Sequence, residues 1–307
     1  KEVNGVYKIW GQGTMPNGTG DFLEPVIINK ENGFDYEGEI LKVAAGSRGN
    51  AQQFALLTTE GLYVWGGYDS GNGNDAFGTL VAQTIKSTKD FGPISVAGKA
   101  DGLPTGVAPE DVKMMFCAYR TLAIVTCTGE AWVLSNLKLD DGNFTGSTYG
   151  DGSDRTAANN AIWHRVKTSA TTELNNVVAV RGTGSALFAL TSNGKLYTWG
   201  MNNYINDGNG PSDRTYATEV TQPAGVTPKM IGMTQVGRLS NESYANYPYA
   251  QTYYLLATDG RLFAMGDNTH RQLGNGSTTA MTQWVQPQKM TDQHGQGTGP
   301  LVDIAWI

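Results

Sequence analysis

One short segment recurs five times along this 307-residue chain. Each copy opens on a turn pair such as Asn-Gly or Asp-Gly, continues through a mostly apolar stretch and closes on Trp-Gly or a degraded form of that pair. The five copies are Asn4–Gly11, Glu60–Gly66, Thr128–Ser135, Asn193–Gly200 and Asp259–Gly266. Recurrence of this kind is the sequence signature of a repeat architecture, so it restricts the fold more than any other feature.

The residues around each copy predict further strands. A short apolar stretch precedes the later copies, and the Asn-Gly or Asp-Gly between the two stretches favours a tight hairpin turn because these residues tolerate positive φ. The preceding stretches are Phe54–Thr58, Leu122–Thr126, Leu187–Thr191 and Tyr254–Ala257. Other strands are predicted upstream at Ile40–Ala45, Val177–Val180 and Lys229–Gly232, and downstream at Glu24–Ile28 and Gln283–Gln286. Four short antiparallel strands per repeat predict an all-β fold, a β-propeller of four-stranded blades.

The spacing of the repeats indicates long loops. The corner positions at the end of each copy are separated by 55 to 69 residues, more than the ~40 to 50 residues of a typical blade. These positions are Gly11, Gly66, Ser135, Gly200 and Gly266. We predict a single propeller domain over residues 1–307, with the surplus residues in loops, where propellers carry their binding surfaces.

The last copy carries a longer motif, Gly266-Asp267-Asn268-Thr269-His270-Arg271-Gln272-Leu273-Gly274-Asn275-Gly276. It resembles the regulator-of-chromosome-condensation repeat, whose blades carry Leu-Thr-x-x-Gly-x-Val-Tyr-x-Trp-Gly followed by Asn-x-x-Gly-Gln-Leu-Gly-x-Gly. Arg271 departs from the pattern, because that family has Gly there. The resemblance implies a β-propeller. It implies little about function, since the family includes exchange factors, enzyme inhibitors and bacterial surface proteins.

The two ends of the sequence resemble parts of one repeat. Leu301–Ile307 resembles a first strand and Gly5–Gly11 a third strand, while the apolar second strand between them is missing. Either five blades close with one blade a strand short, or the chain is an excerpt from a longer protein. The apolar end Ala305-Trp306-Ile307 favours the excerpt.

Charge and hydropathy argue against two classes of partner. The chain has 22 Lys and Arg against 28 Asp and Glu, a net charge of -6, and its basic residues are scattered singly. We therefore expect no binding to nucleic acid and no exchange-factor activity. No apolar run approaches the ~18 residues of a membrane span, so no membrane insertion is expected. Low charge with 40 Gly is typical of exported or particle-surface proteins, which predicts an extracellular, cell-surface or virion-surface location.

Motifs for catalysis are missing from the sequence. It has neither a Gly-x-Ser-x-Gly elbow nor a His-Glu-x-x-His pair, and its three histidines are widely separated. Ser192–Trp199 faintly resembles the box of propeller sialidases but lacks its Asp. We therefore expect no enzyme activity, no cofactor and no metal, with a propeller glycosidase as the enzymatic alternative. Acidic turns such as Asp151-Gly152-Ser153-Asp154 lack calcium-loop spacing but leave calcium binding open.

The two cysteines lie on a predicted hairpin that turns near Tyr119 and Arg120. At ~3.3 Å per residue, Cys127 lies about 15 Å along the strand from the partner of Cys117, too far for a disulfide. We predict that both are free thiols and small buried residues.

The segment Arg238–Gln251 has the Tyr, Ser and Asn mixture of a recognition loop. Tyr244, Tyr247 and Tyr249 are the predicted anchors, beside Arg238; alternatively, these tyrosines pack the loop against the edge of a blade. The loop that contains His270 and Arg271 is the second binding candidate.

These observations predict a non-catalytic, exported bacterial surface or adhesin-type propeller that binds a protein or a glycan through its loops. The alternative is a structural module of a larger assembly, such as a phage particle or surface filament, whose edges contact neighbouring subunits. A glycosidase is the second alternative.

Overall fold

The computed structural model describes residues 2–3, 6–14, 21–48, 51–66, 91–94, 101–118, 120–135, 148–203, 212–235, 251–289 and 299–307. The chain forms two compact units. The first holds Lys1–Thr128, Trp132–Asp140 and Thr156–His164, and the second holds Gly129–Ala131, Asp141–Arg155 and Arg165–Ile307.

The first unit opens with two small antiparallel sheets and one larger sheet. The first pairs β1 (Glu2–Val3) with β2 (Val6–Tyr7), and the second pairs β3 (Trp10–Thr14) with β4 (Asp21–Ile27). The larger sheet has the order β5-β6-β7-β8, with β5 (Ile40–Arg48), β6 (Ala51–Thr58), β7 (Gly61–Gly66) and β8 (Gly92–Pro93). A 3-10 turn at Lys30–Asn32 follows β4, and another at Pro109–Asp111 precedes the next strand.

A second four-stranded sheet belongs to the first unit except for Ala131 and Arg165. Its strands are β9 (Val112–Ala118), β10 (Thr121–Thr126), β11 (Ala131–Ser135) and β12 (Trp163–Arg165). Ala118 lies opposite Thr121, so the chain reverses between these two residues, as predicted.

The second unit holds two four-stranded sheets and two small pairs. One sheet runs β15 (Val177–Gly182), β16 (Ala186–Thr191), β17 (Leu196–Asn203) and β18 (Ser212–Val220). The other runs β19 (Pro228–Gln235), β20 (Gln251–Ala257), β21 (Leu262–Gly266) and β22 (Met281–Val285). The small pairs are β13 (Lys167–Ser169) with β14 (Thr172–Glu173) and β23 (Gln288–Lys289) with β24 (Gly299–Pro300).

The predicted all-β fold of four-stranded antiparallel sheets is confirmed. The register of the central hairpins repeats, because Phe54 lies opposite Trp65 in one sheet and Leu187 lies opposite Trp199 in another. No helix in the described part of the chain has the length and apolar character needed to cross a membrane.

The central strands β10 and β16 are buried along their whole length, on both faces. Each unit therefore has its own apolar core. One cluster in the first unit is built around Leu57, Leu122 and Ile124. The main cluster of the second unit contains Phe188 and Tyr253, whose rings meet edge to face at 5.0 Å between centroids.

The C-terminal segment makes the contact that a first strand makes elsewhere in the second unit. The Ile304 amide donates to the Gly260 carbonyl over 3.0 Å, and the Val177 amide at the start of β15 donates to the Gly129 carbonyl over 2.9 Å. Both acceptors are the glycines of hairpin turns. The segment therefore makes one of the hydrogen bonds of a first strand, although residues 301–307 form no strand.

The two cysteines are free in the structure, and only one of them is buried. Cys117 lies in β9 inside the core of the first unit. Cys127 is exposed, which corrects the expectation that both are buried. Cys127 is the first residue after β10, in the turn towards β11, and the neighbouring strands do not bury it.

Candidate functional site

The loop between β21 and β22 is the candidate site. It covers residues 267–280 and begins after Gly266, whose φ of 111° turns the chain sharply at the end of the strand. The backbone is anchored at this corner, because the Asp267 amide donates to the Gln251 carbonyl over 2.9 Å.

Asp267 forms the inner support of this loop. Its carboxylate is almost fully buried, and buried carboxylates require hydrogen-bond donors. One oxygen, Oδ2, accepts from the Thr269 hydroxyl over 2.9 Å and from Gln272 Nε2 over 2.7 Å. The carboxylate thus holds together two residues that flank the loop tip.

Asn268 forms a second support. Its Oδ1 accepts from the Leu273 amide over 2.9 Å, and its Nδ2 donates to Asn275 Oδ1 over 3.1 Å and to the Ser277 carbonyl over 2.9 Å. Leu273 is fully buried and fastens the far side of the loop to the core. Nδ2 also donates to the Thr279 carbonyl over 3.2 Å, so one amide side chain joins four points of the loop.

His270 and Arg271 lie at the tip, and both are exposed. The His270 amide donates to Gln272 Oε1 over 2.8 Å, and His270 Nδ1 lies 3.0 Å from the Thr269 hydroxyl. Arg271 has a φ of 64°, the left-handed conformation for which the related repeats use Gly. A fixed loop thus presents an imidazole and a guanidinium to solvent, an arrangement suited to recognition of an acidic or polar partner.

The other predicted site residues fall outside the described residues. Arg238, Tyr244, Tyr247 and Tyr249 all lie in residues 236–250, so their role as anchors stays a prediction. Of the predicted site residues, the structure describes only His270 and Arg271, which are consecutive in sequence and both exposed. Asp267, Asn268 and Gln272 belong to the repeat motif and were not predicted as site residues, although their hydrogen bonds hold the tip in place.

Two copies of a Ser-Asp-Arg-Thr motif also meet in the second unit. The Gly152 amide, just before the first copy, donates to the Thr215 carbonyl of the second over 3.0 Å, and Asp151 bridges to Tyr216. The structure therefore places the two copies directly side by side.

The acidic turn at Asp151 is explained by its local hydrogen bond. Asp151 Oδ1 accepts from the Ser153 amide over 2.9 Å, the usual Asx-turn contact. Within the described ranges no group of three or more His, Cys, Asp or Glu side chains could hold a metal ion.

Comparison with known proteins identifies the repeat. Residues 259–305 match the family described as Regulator of chromosome condensation (RCC1) repeat. The E3 ubiquitin-protein ligase HERC2 of Homo sapiens and that of Mus musculus are each 33% identical over 124 residues, 38% of this chain. The chain spans only 2% of the length of these relatives.

Solved structures show the same fold. Prp20p from Saccharomyces cerevisiae superposes with a TM-score of 0.55 at 14% identity, covering 93% of this chain and 60% of Prp20p. Yeast RCC1 (Prp20) bound to Kap60 gives a TM-score of 0.55 over 90% of this chain and 56% of that chain. Residues 259–305 thus match the RCC1 repeat, and the chain has the fold of RCC1-type β-propeller proteins.

Proposed function

We propose that this chain is a non-catalytic binding module that recognises a partner protein with its loops. The observation that carries the proposal is the loop of residues 267–280. Its tip exposes His270 and Arg271, while Asp267 and Asn268 beneath them are buried and hydrogen-bonded. A tip held in one conformation loses little entropy on binding, which favours recognition.

The similar structures support this use of the fold. Prp20p was studied for its binding to Gsp1p and histones, and yeast RCC1 was solved bound to Kap60. At 14% identity they support the use of the fold for protein binding and not a particular partner.

The proposal includes a location on an outer surface, as in a bacterial adhesin, with a glycan as the alternative ligand. The supporting feature is composition: 16% charged residues and 40 Gly. The net charge of -6 supports a partner other than nucleic acid.

A peptide library displayed on phage tests the proposal without knowledge of the natural partner. The library is selected on the immobilised chain, and the recovered peptides are measured against His270→Ala/Arg271→Ala. We expect affinity to fall by about tenfold or more, as for loss of interface anchors. Lys289→Ala is the matched control, because it removes an exposed cation from β23 instead.

The outcomes separate the alternatives. If the peptides bind the double variant with the same affinity as the native chain, the recognition surface lies elsewhere. In that case Tyr244, Tyr247 and Tyr249 are replaced together by Ala, and we expect a loss of about 2 kcal/mol or more with an unchanged Tm. If no peptide is selected and the chain binds particular glycans on an array, the ligand is a glycan and not a protein. Turnover of fluorogenic glycosides would overturn the non-catalytic assignment.

A structural role in a larger assembly is the second candidate. The observation that favours it is the exposure of Tyr7 and Trp10 in the first unit. Large exposed apolar side chains are common at contact surfaces.

A further inference from the structure

The hydroxyl of Thr269 determines which ring nitrogen of His270 carries a proton. Its single hydrogen is donated to Oδ2 of Asp267 over 2.9 Å. The same hydroxyl oxygen lies 3.0 Å from Nδ1 of His270 and has no second hydrogen to donate. Nδ1 therefore carries the hydrogen of this contact and donates it to Thr269. Because a neutral imidazole is protonated on one nitrogen only, Nε2 of the neutral ring keeps its lone pair.

Asp267 keeps this chain of hydrogen bonds in one direction. The residue is 4% exposed, and its carboxylate also accepts from Gln272 Nε2 over 2.7 Å and from the Thr269 amide over 3.4 Å. An ionised carboxylate accepts hydrogen bonds and cannot donate one, so the hydroxyl hydrogen of Thr269 points to Asp267 and not to His270.

The exposed charge of this loop is positive, although the chain has a net charge of -6. Residues 268–280 contain no Asp or Glu, and the carboxylate of Asp267 is buried. Strands β20, β21 and β22 contain no Lys, Arg, His, Asp or Glu. Tyr254 of β20 donates to a backbone carbonyl of the loop, and because burial raises the pKa of its phenol it stays uncharged near neutral pH. In β23, which also packs against the loop backbone, the charged residue is Lys289, another cation.

Protonation of Nε2 reverses what His270 offers to a partner. The neutral ring presents a lone pair, which repels a carboxylate oxygen. The protonated ring presents an N–H donor with a positive charge, next in sequence to the guanidinium of Arg271. Charged donors bind carboxylates more strongly than neutral donors do. Histidine ordinarily changes its charge between about pH 5 and pH 8, so mild acid is enough to make this change.

We propose that the tip recognises the carboxylates of an acidic peptide segment and that proton uptake at Nε2 of His270 controls this binding. The inference rests on the proposed function and adds the class of partner and its regulation. Arg271 supplies a charge that is independent of pH, and His270 adds a second charged donor in mild acid. Affinity therefore falls as the pH rises. Thr269 is a positioning residue, because it engages Nδ1 and leaves Nε2 for the partner.

The probe is a labelled Glu-Gly-Glu-Gly-Glu peptide, whose binding to the chain is followed by fluorescence anisotropy. We expect affinity to be about fivefold or more higher at about pH 5.5 than at about pH 8. His270→Gln has no titrating ring and should bind with the weaker affinity at both pH values. Arg271→Gln should weaken binding at both values and keep their ratio. A Gln-Gly-Gln-Gly-Gln peptide is the control probe and should show no such dependence.

Nitrogen-15 NMR of labelled histidine tests the tautomer without any ligand, with His270→Gln identifying the signals. At about pH 8 the neutral ring of His270 should be protonated at Nδ1 and bare at Nε2. Thr269→Val keeps the shape of the side chain but cannot accept the hydrogen bond, so we expect the other tautomer to appear. Thr279→Val is the matched control, because this exposed residue of the same loop bonds through its backbone.

A native ring protonated at Nε2 in its neutral form would overturn the proposal. Lack of binding by the glutamate peptide, equal affinity at both pH values, or an unchanged pH ratio in His270→Gln would each overturn it as well. The proposed function fails on a different result, namely library peptides that bind independently of the tip. Library peptides that need the tip but carry no acidic residue would refute the acidic partner and leave the proposed function intact.

Discussion

Arg271 carries a local backbone cost that the related repeats avoid with glycine. Its φ of 64° costs a residue with a Cβ about 1 to 2 kcal/mol, whereas glycine adopts it freely but loses about 0.5 to 1 kcal/mol of chain entropy. We therefore expect Arg271→Gly to raise the free energy of unfolding by about 0.5 kcal/mol or more, measured by urea denaturation. Arg271→Ala keeps the Cβ and should leave stability nearly unchanged; an equal gain in both variants would contradict this explanation.

The two thiols should differ sharply in reactivity. Cys117 is buried, its Sγ accepts from Gln53 Nε2 over 3.3 Å, and burial raises the pKa of the thiol. Because the thiolate is the reactive form, iodoacetamide should label Cys127 first in the folded chain. Mass spectrometry should show one label in the native protein and two after denaturation. Equal native labelling of both residues would show that β9 opens readily.

The sharp corner at the end of β21 depends on Gly266. With a φ of 111°, a Cβ at this position would lie well inside contact distance of the Gln251 carbonyl oxygen. We expect Gly266→Ala to lower the free energy of unfolding by more than about 2 kcal/mol, since both the backbone and β20 must shift. Gly276→Ala is the control, because it has a φ of 78° and no heavy atom within 4 Å of the added Cβ. It should cost only about 1 kcal/mol in the same denaturation assay.

The central hairpins follow directly from sequence. The apolar stretch, the turn pair and the Trp-Gly are local features, so they predicted β16 and β17 close to their observed bounds. The short β8, at Gly92–Pro93, was not predicted. A two-residue strand has no periodicity of its own and forms only because β7 offers it an edge.

At the scale of the whole molecule, polar side chains tie neighbouring sheets together inside the second unit. Thr183 Oγ1 donates to Gln251 Oε1 over 3.0 Å, and Gln251 Nε2 donates to Ser185 Oγ over 2.9 Å. All three lie where the second strands begin, and Gln251 is fully buried. Satisfied buried hydrogen bonds contribute to stability and fix which surfaces pack.

A double-mutant cycle measures this link. We expect Gln251→Ala to cost about 2 kcal/mol, and Thr183→Ala and Gln251→Ala together to show a coupling of about 1 kcal/mol. Gln288→Ala is the control, because the Gln288 side chain is exposed and donates to the nearby Gln286 carbonyl within the same segment. Strict additivity of the two changes would show that the link contributes nothing.

The sequence by itself determined the fold class and the chemistry of the candidate tip. Turn pairs and apolar stretches are local features, and the repeat recurs five times in the chain, so one sequence is enough to recognise them. The loop that contains His270 and Arg271 was identified from sequence, because Arg271 stands where the related repeats have Gly and His270 precedes it.

Only the tertiary structure decided what covers or supports those residues. It showed that Asp267 and Asn268 are buried beneath the tip, that Cys127 is exposed and that Trp10 lacks the cover given to Trp199. Burial depends on strands distant in sequence, so equivalent motifs can end in different environments. A local pattern indicates that a residue is apolar or turn-forming. Its exposure depends on which strands pack against it in the folded chain.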